Sequence, residues 1–184
     1  VWSAFSQLND EGQVRSDLDE LSRLDLTPLD TPEPDLTYMF KHAITHEAAY
    51  KSLPFASRSD LHGQLGAFIE SCCLDEIDQN IDLLAYHFEK SSNENKKRHY
   101  LLKAGEIAQT NYANQSAINY YKRALDLLTP KDKIEVMLNL CDVYILTGDW
   151  RTADQQIDQV LTLAKEFNDR SALAWGQTKK ADLL

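Results

Sequence analysis

The sequence predicts a mainly α fold, in which a first part with one short strand or hairpin gives way to an α-α superhelix of stacked helix pairs. Three observations carry that expectation. Glycine and proline are sparse, 6 and 5 in 184 residues, so little punctuates the helical pattern. Apolar residues recur at three- and four-residue spacing along most of the chain. The second half also repeats itself with a period of 36 residues, as from Leu101 to Met137 and from Ala117 to Ala153.

With 43% hydrophobic residues, the chain is long enough for one good core or two small ones. Its formal net charge of -10 argues against nucleic acid as a partner, because phosphate binding needs a positive footprint. The charge is uneven. Residues 1–36 carry nine acids against Arg15 and Arg23, whereas residues 94–133 carry eight Lys or Arg against four acids. Solvated helix faces of opposite sign explain this more simply than a docking patch does. Cys72, Cys73 and Cys141 are odd in number and lack CxxC spacing, which points to a reducing, cytoplasmic location. No apolar run nears the roughly 18 residues of a membrane span, so no membrane partner is expected. The chain starts at Val1 without Met and stops inside a helical stretch, and so reads as a segment of something longer.

Along the chain, Val14, Leu18, Leu21 and Leu24 mark a helix over residues 11–24. It ends in a loop where Pro28, Pro32 and Pro34 forbid helix. Leu36 to Phe40 is short, aromatic and partly β-branched, which predicts a strand whose partner the sequence does not place. A helix follows from His42, with Ala43, Ala49 and Tyr50 on one face, closed by Pro54. Another runs from Ser57 or Ser59 to about Cys73, with Leu61, Leu65, Phe68 and Ile69 as its stripe. After a polar linker, residues 81–88 form one more amphipathic helix. The expected division is therefore 1–75, a connecting stretch 76–95, and a repeat array 96–184.

Within that array, Leu101, Ala104, Gly105 and Ala108, then Ala117, Tyr121 and Ala124, match Met137, Leu140, Cys141 and Tyr144, then Ala153, Ile157 and Val160. Antiparallel helices interlock only where small residues occupy their closest approach, which gives Gly105, Ala117 and Ala124 a physical role. Gly148 supplies a turn, Asp149 an N-cap and Trp150 a corner filler, while Thr129 and Pro130 read as N-cap and first helical residue. A third unit begins near Ser171, with Ala172, Trp175 and Gly176 in order. This pattern resembles the tetratricopeptide repeat, whose usual period of about 34 leaves two extra residues around Thr129 to Lys133. The resemblance implies an inner surface that receives a protein or peptide, lined by His99, Leu102, Glu106, Gln109, Glu135, Leu138, Asp142 and Ile145. Tetratricopeptide domains that clamp chaperone tails use Lys and Asn there, and Leu102 and Glu106 exclude that role.

The run from Tyr38 to Leu53, with Arg58, Leu61 and His62 after it, is similar to a pattern of large signalling ATPases of the STAND class. There, Phe-x-His-x-Leu-x-x-Glu-x-x-Tyr-x-x-Leu is followed by Arg-x-x-Leu-His. It closes the winged-helix part of the ATPase module, just before helical repeats. The stretches 84–88, 103–108 and 112–125 continue the likeness, and the succession resembles multidomain bacterial adenylate/guanylate cyclases. The resemblance implies a winged-helix-like remnant in residues 1–75 and an upstream ATPase core, in cis, that holds ADP or ATP. It also makes His42 a nucleotide-sensing candidate, although Ala43 stands where the family's Met-His-Asp motif has Asp. Glu47, Tyr50, Arg58 and His62 are expected to link adjacent helices.

The segment itself shows no catalytic motif, and no cofactor or metal is expected in it. It has no GxxxxGK[ST] loop. His42 and His46 are four apart, but the Glu that HExxH needs is missing. The expected function is a non-catalytic regulatory and interaction segment that couples partner binding on the repeats to an upstream nucleotide-binding domain. A stand-alone scaffold is the alternative. Another is a STAND transcriptional regulator, against which the acidic N-terminal part and the lack of a basic recognition helix argue.

Overall fold

The computed structural model describes residues 11–31, 37–72 and 76–183. Within them the fold is mainly helical with one short hairpin: α1 Glu11–Arg23, β1 Leu29–Thr31, β2 Thr37–Tyr38, α2 Ala43–Ser52 and α3 Phe55–Cys72, followed by α4 Ile81–Lys90, α5 Glu94–Thr110, α6 Asn114–Leu125, α7 Lys133–Leu146, α8 Trp150–Glu166 and α9 Arg170–Asp182. The chain divides into two compact units, residues 1–74 with 90–92, and residues 75–89 with 93–184. Leu36, Cys73 and Pro32 to Pro34, on which some expectations rest, lie outside the described residues.

In the first unit α1 ends at Arg23, one residue before the expected end. Asp25 takes a left-handed φ of 59°, and the Leu26 N–H returns to the Leu21 carbonyl at 3.0 Å, a Schellman closure. The strand partner that the sequence left unplaced is β1, antiparallel to β2 with Leu29 opposite Tyr38. The Lys41 N–H extends the pairing to Leu26, and Lys41 also forms an ion pair with Asp25. The expected apolar face of α2 is not used, since Ala43 and Ala49 are exposed and α2 buries no residue. Tyr50 attaches it to α3 instead, through a 2.9 Å hydrogen bond to His62 Nε2 and the Arg58 guanidinium 5.0 Å over its ring. α3 starts at Phe55, earlier than the serines suggested, because the Pro54 carbonyl already accepts the Arg58 N–H.

The second unit is helical-repeat-like. Every position that the 36-residue step singled out is buried, from Leu101, Ala104, Gly105 and Ala108 to Ala153, Ile157 and Val160. The step also extends back to α4. Ile81, Ala85 and Phe88 precede Ala117, Tyr121 and Ala124 by 36 and are likewise buried. The Phe88 ring stacks on Tyr100 at 5.0 Å, and Asp82 accepts the Tyr120 hydroxyl at 2.8 Å. Arg123 forms an ion pair with Glu89. The helix expected as a connector is thus packed into the array.

α7 is apolar on two sides because it serves two cores. Val136, Leu140, Val143 and Tyr144 join Ala108, Ala117 and Tyr121, while Met137 and Cys141 join Ile157, Val160 and Ala172. The turns follow one plan. Tyr112 and Gly148, again 36 apart, take left-handed φ values of 57° and 77°, and the next N–H bonds back to Ala108 and Tyr144. Asn93, Asp149 and Asp169 cap α5, α8 and α9 with their side chains. Thr129 accepts the Asp132 N–H at 3.3 Å, but regular helix starts only at Lys133, after a turn over 130–132. Trp150 does not fill a corner. It is 55% exposed, because Ala153 and Ile157 carry the buried face of α8.

At Gly105 α5 comes close to α6, and a Cβ there would sit 2.6 Å from Tyr121 Cε1. Gly105→Ala is therefore expected to destabilise the protein by about 1–2 kcal/mol net, because overpacking outweighs the gain in helix propensity. Urea unfolding of Gly105→Ala, Tyr121→Leu and the double variant checks this: the alanine should cost far less once the ring is gone.

Candidate functional site

α5, α6, α7 and the loop before α7 enclose an open cleft of about 340 Å³. α5 contributes Arg98, Leu102 and Glu106, one turn apart along one face. α7 contributes Glu135, Val136 and Asn139, the connecting loop Leu128 and Asp132, and α6 reaches it through Tyr121. Tyr121 is almost wholly buried, and its hydroxyl donates to Gln109 Oε1 at 2.7 Å.

Of the eight expected inner-face residues, Leu102, Glu106 and Glu135 meet at this cleft, and Gln109 adjoins it through Tyr121. The others lie elsewhere. His99 is exposed beside the Tyr100 ring, and Leu138 and Ile145 pack on the two cores. Asp142 faces α9, where it pairs with Lys179 at 3.7 Å. Residues one period apart thus have different surroundings, because the inner side of α5 looks toward α7 while that of α7 looks toward α9. Arg98, Asn139 and Asp132 were missed for the same reason: a cleft between unlike neighbours does not repeat with the step.

Burial, and then the charge of Glu106, pushes the Tyr121 phenol up to about 12, against a side-chain hydrogen bond from Asn139 that pulls it down. Tyr120 is also raised to about 12, by burial first and then by its hydrogen bond to Asp82. Both phenols stay protonated, as donors, across the physiological range. Burial similarly pushes the Cys141 thiol up to about 12, with Asp142 adding to it, which makes this sulfur an inert core atom.

In the first unit His42 occupies the N-cap position of α2 with extended backbone, and its carbonyl accepts the His46 N–H at 3.2 Å. Its exposed imidazole makes no capping hydrogen bond. Tyr50, Arg58 and His62, three residues of the motif in this region, lie together between α2 and α3. Among the described residues no group of three or more His, Cys, Asp or Glu is arranged to share a metal ion, and no helix is long and apolar enough to cross a membrane.

No family model matches the chain, and no curated protein matches its sequence.

The two raised phenols set an alkaline limit. A group whose folded pKa lies above its unfolded value stabilises fully below the unfolded value and loses that contribution as pH rises through the folded one. Stability measured by urea unfolding should therefore begin to fall near pH 9, where the raised Cys141 thiol starts to count, and fall more steeply from pH 10 toward pH 12 as both phenols do. In Tyr120→Phe/Tyr121→Phe the slope should flatten. An unchanged slope would assign the loss to other groups.

Proposed function

We propose that the chain is a non-catalytic regulatory and protein-interaction segment, whose second unit is a tetratricopeptide-type module that receives a partner peptide. The observation that carries this reading is the 36-residue step. It runs through α4, α5 with α6, and α7 with α8, and each of its positions lies in the packed interior. Repeats that bury their faces only against neighbours present long, regular side surfaces, and binding is what such surfaces are suited to. The cleft between α5 and α7 is the natural seat on this module.

The first unit, in this proposal, is the winged-helix-like end of a STAND-class ATPase module in a multidomain signalling protein of the adenylate/guanylate cyclase kind. The likeness of residues 38–62 supports it, as does the way Tyr50, Arg58 and His62 tie α2 to α3. His42, with no capping bond of its own, would then meet the phosphate of nucleotide held by the upstream core. Partner binding would act by population shift, favouring one arrangement of the ATPase over another.

Calorimetry of ADP and ATP binding to the longer protein containing residues upstream of Val1 tests the nucleotide link. The expected outcome is tight ADP binding that His42→Ala weakens about tenfold, near 1.4 kcal/mol. Binding of neither nucleotide would sink the ATPase link and leave a stand-alone scaffold as the account.

A further inference from the structure

We infer that the cleft between α5 and α7 takes the cationic side chain of an arginine or lysine on a partner peptide. This rests on the interaction-module reading and deepens it by naming the chemistry of the partner.

Three carboxylates, Glu106, Asp132 and Glu135, border the cleft against one cation, Arg98, a balance of three to one. This runs against the local sequence, since residues 94–133 carry twice as many basic residues as acids. The reversal has a structural cause: much of the positive charge is engaged away from the cleft. Lys103 pairs with Asp78, Arg123 with Glu89 and Lys97 with Glu94, while Lys96 and Lys122 lie over the rings of Tyr100 and Tyr144. Asp132 is held by the Thr129 hydroxyl at 2.7 Å, but no ion pair engages Glu106 or Glu135 among the described residues.

The rest of the lining suits a long side chain with a charged end. Leu102, Leu128 and Val136 give an apolar wall for an aliphatic stem, and Asn139 adds an amide. A volume of about 340 Å³ is at the small end for a ligand pocket, and fits one or two side chains better than a folded surface. An arginine or lysine matches all three features. An acidic residue would meet carboxylates, and a purely apolar one would leave Glu106 and Glu135 beside it without partners.

The test is an NMR titration of the full chain with the peptide acetyl-Gly-Leu-Arg-Leu-Gly-amide, compared with the same peptide carrying citrulline, the neutral isostere, or Glu. The expected result is saturable shifts centred on Leu102, Glu106, Glu135 and Asn139 with the Arg peptide alone, weakened by added salt. Affinity should drop at least tenfold in Glu106→Gln/Glu135→Gln, whose circular dichroism should match the wild type. A cleft that takes citrulline or Glu as well as Arg overturns the inference and leaves the module reading standing, as does Arg binding unchanged by the double substitution. If none of the three peptides, nor a degenerate peptide library, shifts any residue of 75–183, both readings fall together.

Discussion

The second unit depends on how closely its helices approach where small residues meet large ones. Gly105 lies against the Tyr121 ring with no room for even one added carbon. One period later the same pair of positions holds Cys141 and Ile157, a larger residue facing a smaller one, both fully buried. At a contact of another kind, between α9 and the helix before it, Gly176 lies against Leu161 of α8, where a Cβ would come within 2.8 Å of Cδ2. The sum of volumes is kept roughly level while its division changes, which is how a close-packed interface tolerates drift. The helix pairs α5/α6 and α7/α8 can therefore close on the same spacing.

The cleft is a by-product of that packing. Tyr121 belongs both to the core beside Gly105 and to the floor of the cleft, with its hydroxyl fixed on Gln109. Its depth in the core is what raises its pKa and keeps it a donor. Around this floor, α5 and α7 bring Glu106 and Glu135 to the cleft, while the loop 126–132, which overlaps the stretch from Thr129 to Lys133 where two extra residues were expected, brings Leu128 and Asp132 to it. A shorter loop would bring α7 in without these residues. The loop thus adds one carboxylate, Asp132, to the two that α5 and α7 supply through Glu106 and Glu135.

Much of the array was legible in the sequence, because its buried positions recur and periodicity is the signal that sequence reading detects best. The first helix, the existence of a strand and the caps at Asp149 and Gly148 were legible for similar local reasons. The site was half legible. Leu102, Glu106 and Glu135, which the repeat pattern singled out, line the cleft, but Asp142 and Leu138 do not join them, since Asp142 pairs with Lys179 of α9 and Leu138 packs on the core that α9 shares. Such information is three-dimensional: it depends on which helix comes next, and no residue type announces it. α4 was misread as a connector for another reason. Its preceding linker is polar, and its match to the step involves Ile81, Ala85 and Phe88, unlike in type to Ala117, Tyr121 and Ala124 but equal in burial.

The most direct measurement of this account is native-state amide hydrogen exchange, resolved by residue, across 81–89 and 93–164. Packing at a constant 36-residue step makes α4 a full member of the array. The amides of Leu84, Ala85 and Phe88 should then exchange as slowly as those of Tyr121 and Ile157, through the same cooperative opening. If they exchange as fast as those of the unburied α2 while α5 to α8 stay protected, α4 is a loose connector and the step ends at α5.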